Sequence, residues 1–366
     1  MKIKRVTAYA ISIPLPEPVA DAVRLISQRD HLIVEIEAGG VTGTGFSLGY
    51  DGSKAMVELV DALYRGVLLN ADPFDSGRLW DEMYRLSIQA GRRGAALRTI
   101  SAIDIALWDL RGKLFGRPVM ELLGVHSRKL RCYATGGYYR KGFTLDELVR
   151  EVQGYVEAGF TAVKMKVGKM SAAEDAARMK AVRKAVGDEV DLLLDANGGW
   201  PNAPVAIAAM RRLEEYRPYW IEEPVRADNL TAMREIAAAI QTPVATGELE
   251  STRWAFAQLI EQRAAAILQP DATVVGGVSE WMQVAHMAAA FDVPIAPHYN
   301  WDIHTQLCAA IPNWLFVEYF MASSGVKMLD KLIRNPMTVI EGWVEPRTGP
   351  GFGIDWNQEE INRHRI

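Results

Sequence analysis

The stretch Asp191–Glu248, DLLLDANGGWPNAPVAIAAMRRLEEYRPYWIEEPVRADNLTAMREIAAAIQTPVATGE, decides the fold. Three short apolar runs within it, DLLLDANG, YWIEEP and PVATGE, have β character. The segments between them, Pro204–Tyr216 and Leu230–Ile240, are amphipathic and rich in Ala. Such alternation marks βα units around a parallel sheet, because parallel neighbours need a long crossover and a helix supplies it. The same rhythm continues outward. Upstream stand LRCYATGG and AVKMKVG with helices Leu145–Ala158 and Ala172–Val186. Downstream stand AILQPD, PIAPH and LFVEYF with helices Thr252–Gln262 and Val278–Phe291. Repeats of this number and length predict a TIM-type (β/α)7β barrel over residues 126–325.

The first third reads differently. Alternating polar and apolar residues in MKIKRVTAYAISIPLP predict a strand, and two alternating runs from His31 joined at Ala38-Gly39-Gly40 predict a hairpin. From Ser53 to Gly124 the pattern is helical; Leu97, Ile100, Ile103 and Leu107 share one face of a segment that stops near Gly116 and Pro118. Residues 1–125 are thus expected as an α+β domain. The tail, 326–366, is rich in Gly and Pro and is expected to return to that domain rather than add a βα unit.

With 49% hydrophobic and 23% charged residues, the composition is that of a globular protein. A formal charge of -4 and scattered basic residues speak against nucleic acid as a partner. No apolar run approaches the roughly 20 residues that span a bilayer. Cys132 and Cys308 are too few for a disulfide framework and are expected as buried thiols; a cytoplasmic enzyme is the expectation.

Nearly every candidate strand runs apolar and then ends in an ionisable residue: Lys166, Asp195, Glu222, Glu248, Asp271, His298 and Glu318. Steps of roughly 20 to 30 residues, one βα unit each, would set these side chains around one barrel mouth, where barrel enzymes place their chemistry. Asp195, Glu222 and Glu248 offer hard oxygen ligands with no thiolate or imidazole cluster nearby, a set suited to Mg²⁺. Asn197, two residues beyond Asp195, is expected on the same strand face. Glu222 and Glu223 are expected on opposite faces, so that one of them binds metal. Lys164 and Lys166 share a face; neighbouring positive charge would lower a lysine pKa toward that of a general base. Lys166 is the natural base, with Lys164 its partner or a contact to the substrate carboxylate. Asp271 can orient His298 and raise its pKa, while Glu318, set among aromatic residues, is expected to have a raised pKa and to donate a hydrogen bond. His304 stays undecided; the other histidines are expected to be structural.

Taken together, RTISAIDIALWDLRGK at 98–113, KMK at 164–166, DAN at 195–197, WIEEP at 220–224, TGE at 246–248, QPD at 269–271, PH at 297–298 and VEY at 317–319 resemble the enolase superfamily, specifically its mandelate racemase subgroup. The resemblance implies one Mg²⁺ held by Asp195, Glu222 and Glu248, choosing the first glutamate of WIEEP. It implies that Lys166 and the His298–Asp271 dyad move protons on opposite faces of a small carboxylate substrate, with Glu318 donating to the enolate. It further implies that the N-terminal domain caps the barrel, that loops near Val19–Arg29 and Leu48–Ser53 select the substrate, and that the chain is a homo-oligomer. Two chemistries proceed through an enediolate on such an apparatus: dehydration of an acid sugar to a 2-keto-3-deoxy acid, and racemisation or epimerisation of a 2-hydroxy acid. Hydroxyl-binding candidates Tyr138, Tyr139, Asn197, Asn300 and Trp301 favour dehydration. The acidic TGELE departs from mandelate racemase itself and argues against an aryl substrate. A non-catalytic sugar-acid-binding barrel is the rival from another class.

Overall fold

A computed structural model describes residues 1–366. Strands β1 (Ile3–Ala20), β2 (Leu25–Ala38) and β3 (Val41–Leu48) form an antiparallel sheet in that order. Gly39 and Gly40 make the turn from β2 to β3, both at positive φ as a tight hairpin requires. β2 begins at Leu25 rather than near His31, so Val19–Arg29, read as a loop, is a hairpin tip whose residues Val19 and Ala20 pair with Ile26 and Leu25.

Helices α1 (Ser53–Leu59), α2 (Arg65–Leu68), α3 (Ser76–Gly91), α4 (Ala95–Phe115) and α5 (Val119–Leu123) follow. In α4, Leu97, Ile100, Ile103 and Leu107 are buried, and the helix ends at Gly116 in the left-handed conformation. Its backbone lies close against β3 because that strand carries glycine at two facing positions. A Cβ on Gly45 would stand 2.0 Å from the Ala102 carbonyl oxygen, and one on Gly43 2.2 Å from that of Ala106.

The rest of the chain alternates. Strands β4 (Leu130–Gly136), β5 (Ala162–Lys166), β6 (Asp191–Asp195), β7 (Pro218–Glu222), β8 (Val244–Thr246) and β9 (Ile267–Leu268) are separated by α6 (Leu145–Glu157), α7 (Ala172–Val186), α8 (Ala203–Leu213), α9 (Leu230–Ala239) and α10 (Thr252–Glu261). After α11 (Val278–Ala290) and α12 (Trp301–Cys308) comes β10 (Val317–Tyr319), which pairs parallel with β4, giving the order β10-β4-β5-β6-β7-β8-β9. Capping boxes start α6 at Thr144 and Glu147 and α7 at Ser171 and Glu174, each satisfying end N–H groups that would otherwise lack partners.

Two readings are corrected here. PIAPH forms no strand: Pro294 and Pro297 have no N–H to give, so only Ile295 bridges, to Leu268 on one side and Trp314 on the other. The segment after it, seen only as polar and aromatic residues near the mouth, is the helix α12. The tail touches both parts of the molecule. Its β11 (Trp343–Val344) pairs with β4, and beyond α13 (Gln358–His364) the Ile366 N–H donates to the Ala10 carbonyl.

The parallel sheet is strongly curled. Tyr133, Ala162, Leu193, Trp220, Ala245, Ile267, Ala296 and Phe316 form a separate buried cluster in which the rings of Tyr133 and Trp220, from β4 and β7, are 5.3 Å apart. Two residues onward along the chain come Thr135, Lys164, Asp195, Glu222, Gln269, His298 and Glu318. The period of two along a strand therefore puts an apolar plug directly beneath the ionisable side chains.

Helices α3 and α4 hold the segment after β9 from the other side. Trp80 Nε1 donates to the Gly276 carbonyl at 2.7 Å, and Asp104 accepts from the Ser279 N–H at 2.9 Å and its hydroxyl at 2.7 Å. Asp109 accepts from Thr44 N at 2.8 Å and from Phe352 N at 2.9 Å, joining β3 to the tail. Both cysteines are buried and unpaired, and no helix is long and apolar enough to cross a membrane.

The contact between α4 and β3 generates a paired prediction. Gly45→Ala drives a methyl group into the helix backbone and should cost about 1–3 kcal/mol, lowering the thermal midpoint. Gly154→Ala, in the interior of α6 with nothing near its Cβ direction, should raise the midpoint through a gain of about 0.5–1 kcal/mol. Equal shifts of the same sign in melting experiments would remove the steric account.

Candidate active site

Register sets the first row of the site. Lys166 on β5 is paired with Asp195 on β6, and Asp195 with Glu222 on β7, so three strand ends level with one another present a cation and two carboxylates. Glu248 follows β8. One oxygen each from Asp195, Glu222 and Glu248 lies within 4.8 Å of the others, and all three residues are buried.

Lysines answer part of this charge. Lys164 Nζ lies 2.8 Å from Glu222, 2.9 Å from Glu318 and 3.7 Å from Asp195, while Lys166 Nζ is hydrogen-bonded to Asp195. The protein groups alone push both lysines up, whereas the expected depression rests on positive charge, a metal ion included, beside them. Burial pulls both down, yet the carboxylates outweigh it: Glu222 and Glu318 raise Lys164, and Asp195 raises Lys166. Asp195 is correspondingly held down at about 2, because Lys166 and Lys164 overcome its burial. Glu222 is pushed up to about 8 by burial and by the Asp195 charge.

His298 meets the carboxylates at Glu248. Its Nδ1 is 3.0 Å from Asp271 Oδ2 and its Nε2 is 3.4 Å from Glu248. Burial works against the charged imidazole, but Glu248 and the Asp271 hydrogen bond prevail and raise its pKa to about 10. Asp271 is itself anchored, accepting from the Thr273 N–H and hydroxyl at 2.8 Å each.

Several sequence readings change. Glu318 does not have a raised pKa: despite its burial, Lys164 and His298 hold it down, and it accepts from Thr135 Oγ1 at 2.7 Å and Tyr299 N at 2.6 Å. A charged acceptor is therefore present where a donor was expected. Asn197 lies past the end of β6 at φ 43, so the two-residue alternation does not place it; its N–H donates to Asp195, and its Oδ1 is buried without a partner beside the cavity. Glu223, at φ 39, is likewise outside the strand. It does not turn away from the cluster, since burial and the charge of Glu248, Asp195 and Glu222 push its carboxyl well above the usual range.

Among the hydroxyl-binding candidates, Tyr138 lines the cavity, with Lys166 Nζ 4.8 Å from its ring centre. Asn300 instead turns its amide to Asp271 at 3.2 Å and Thr273 at 3.0 Å, bracing the dyad from behind. Tyr139 is engaged by Arg178, and Trp301 packs beneath Lys327 and beside Tyr319. His304 is structural: its Nε2 accepts from Ala272 N at 2.9 Å, and burial lowers its pKa to about 4.

The cavity at these side chains measures about 20 Å³, room for a water or so. Arg24, Arg29 and Tyr50 cover it from the first domain, and beyond them lies an outer recess of about 360 Å³. A larger cleft of about 640 Å³ beside Arg140 and Met321 holds none of the charged cluster. Sequence reasoning did not single out Thr135, Thr273 or Tyr299, and it named the segment Val19–Arg29 without picking out Arg24 or Arg29 within it. Thr135 had a signal, sitting two residues after the apolar Tyr133; the arginines had only the resemblance of their segment, because they stand on a hairpin outside the strand-end pattern.

The triad fits a divalent cation. Its donors are all carboxylate oxygens, they converge, and the mutual repulsion that raises Glu222 is relieved by positive charge among them.

Comparison with known proteins agrees with this geometry. Residues 147–361 match the family described as enolase C-terminal domain-like, and residues 5–124 match the mandelate racemase / muconate lactonizing enzyme N-terminal domain. The chain is similar to an arabinonate dehydratase of Saccharolobus solfataricus, 33% identical over 96% of both chains. It is also similar to an L-talarate/galactarate dehydratase of Salmonella typhimurium, 36% identical over 93% of this chain and 86% of the relative. A crystal structure of a racemase from Streptomyces coelicolor with bound magnesium superposes with a TM-score of 0.93, covering 100% of each chain at 30% identity. With both family domains matched over most of its length and strand ends arranged as described, the chain belongs to the enolase superfamily, in its mandelate racemase subgroup.

Proposed function

We propose that this enzyme is an Mg²⁺-dependent acid-sugar dehydratase, a lyase that removes the proton next to a substrate carboxylate and expels the 3-hydroxyl as water to leave a 2-keto-3-deoxy acid. The observation that carries the reading is a buried carboxylate triad engaged by Lys166 at Asp195 and by His298 at Glu248. Relatives named as dehydratases of arabinonate and of talarate and galactarate support the substrate class.

Asp195, Glu222 and Glu248 would hold the metal. When bound, Mg²⁺ would supply a Lewis acid toward the substrate carboxylate and the positive charge this triad lacks. Positive charge at the triad would lower the Lys166 pKa, and the neutral amine, its own proton released to solvent, would take the α-proton. The C–H electron pair then passes into the carboxylate, giving the enediolate. The enediolate would collapse with cleavage of the C3–O bond, and His298, kept charged by Glu248 and Asp271, would give its proton to the departing hydroxyl as water. The enol left behind would ketonise to the 2-keto-3-deoxy acid. Lys164, fixed between Glu222 and Glu318, keeps positive charge beside the developing oxyanion. Tyr138 and Asn197 are assigned to the substrate hydroxyls and Asn300 to the support of Asp271.

The same pair would serve a racemase or epimerase if the 3-hydroxyl stayed in place and His298 returned the proton to carbon. The proposal also includes the closing of the curled sheet into a (β/α)7β barrel, with the Ile295 bridges as its seam. It divides the chain into a capping domain (1–125), a barrel domain (126–325) and a tail (326–366) that completes the cap. A cytoplasmic homo-oligomer is part of the same reading. It is supported by two unpaired buried thiols and by the Tyr84–Trp254 stack left half exposed at the surface.

Lys166→Ala and His298→Asn should each lower turnover of an acid-sugar panel by about 10²–10⁴-fold with circular dichroism unchanged; near-native rates in both would sink the assignment. Incubation of that panel in D₂O separates the chemistries. A 2-keto-3-deoxy product marks dehydration, whereas deuterium at C2 with the hydroxyls retained marks racemisation. For the metal, titrating Mg²⁺ should raise the melting temperature and EDTA should reverse the rise; Asp195→Asn should abolish that shift. A wild-type protein indifferent to both reagents would rule out the triad as a metal site.

A further inference from the structure

The dehydratase reading leaves open whether the substrate carries one carboxylate or two, and the charges around the cavity decide between them. Four of the cations there are matched. Lys164 has Glu222 and Glu318, Lys166 has Asp195, His298 has Asp271, and Arg24 has Asp21 at 2.8 Å. Arg29 has no carboxylate. It sits on β2 opposite Ile13, is 8% exposed, and uses only Nε, which donates to the Val326 carbonyl at 3.0 Å. Around it stand the neutral tyrosines Tyr299, Tyr138 and Tyr50 and the like-charged Arg24. The guanidinium lies 5.2 Å from the Tyr299 ring centre, and the Tyr299 hydroxyl is buried without a partner in the same wall.

A buried guanidinium keeps its charge, so its desolvation has to be answered by an anion or tolerated at a cost. Arg29 lines both the inner cavity and the outer recess, where the far end of a substrate would lie with its near carboxylate at the cation the triad would hold. A terminal CH₂OH there leaves the charge unanswered. A terminal carboxylate answers it with two oxygens matched to the planar fork of the guanidinium.

On the basis of the proposed dehydratase reading, we infer that Arg29 is a specificity-determining residue that binds a second, distal carboxylate, so that the preferred substrates are aldarates rather than aldonates. Matching the remote group in this way makes a monoacid pay an unmatched buried charge, which is how a polar site rejects an analogue lacking the group.

The test uses the full-length protein with saturating Mg²⁺ and a stereochemically complete set of hexarates, the matching hexonates and hexonate 6-phosphates. The best hexarate should exceed its hexonate in kcat/KM by about 100-fold or more. Arg29→Met should lose most of that advantage, chiefly through a raised KM for the hexarate; Arg29→Lys should recover part of it. Arg29→Lys also serves as the variant of record if Arg29→Met does not fold. Preference for a hexonate or its 6-phosphate in the wild type overturns the inference, as does an equal loss on diacid and monoacid, which would make Arg29 only a strap to Val326. If no member of the set is turned over, the dehydratase reading fails. Calorimetric binding of hexarate against hexonate, wild type against variant, then still decides the role of Arg29: diacid-selective binding lost in the variant supports it, and unselective binding overturns it.

Discussion

Everything at the centre of this protein is arranged around the burial of several carboxylates in one small volume. Asp195, Glu222, Glu223, Glu248, Asp271 and Glu318 are all removed from solvent, and without nearby positive charge such a group would repel itself and take up protons. Lys164, Lys166 and His298 provide part of that charge, and a divalent cation would provide the rest. The requirement is severe because it is geometric: each partner must arrive at the same height from a different strand. In-register pairing of Lys166 with Asp195 and of Asp195 with Glu222 satisfies it. The apolar cluster from Tyr133 to Phe316, two residues below, keeps water from entering beneath.

The N-terminal helices matter to the site through that same geometry. Asp271 must hold His298 in one orientation, and the backbone just after it is gripped by Trp80, Ser101 and Asp104. Asp104 would meet any side chain at position 277, where a Cβ would stand 2.4 Å from its Oδ2. The motif RTISAIDIALWDLRGK is thus read physically as a clamp. Its Ser101 and Asp104 fix the segment that positions Asp271, and its Asp109 ties β3 to the tail at Phe352. Left-handed backbone at Asn197, Glu223 and Tyr299, each one or two residues beyond a site carboxylate or imidazole, shows the same site imposing conformations that side chains there disfavour.

Much of this was legible in the sequence because it depends on period and spacing. The strand-helix alternation, the helix boundaries to within a few residues, and the row of ionisable strand ends all follow from local patterns that survive into the structure. Helix α12 was not legible, since Trp301–Cys308 is buried along its whole length and so carries no amphipathic stripe. PIAPH was misread for the opposite reason: its apolar residues have the composition of a strand, but two prolines remove the hydrogen bonds that would make it one.

The sequence by itself determined which ionisable residues gather at the strand ends and that three of them carry hard oxygen donors, because strand period and repeat length are properties of the chain alone. The tertiary structure decided what those residues are to one another. It turned Glu318 from an expected donor into a charged acceptor beside Lys164, placed Asn300 behind Asp271, and brought Arg29 from a distant hairpin to the cavity with no anion of its own. Charge state and partnership depend on distances between segments far apart in the chain, and only the folded arrangement fixes those distances.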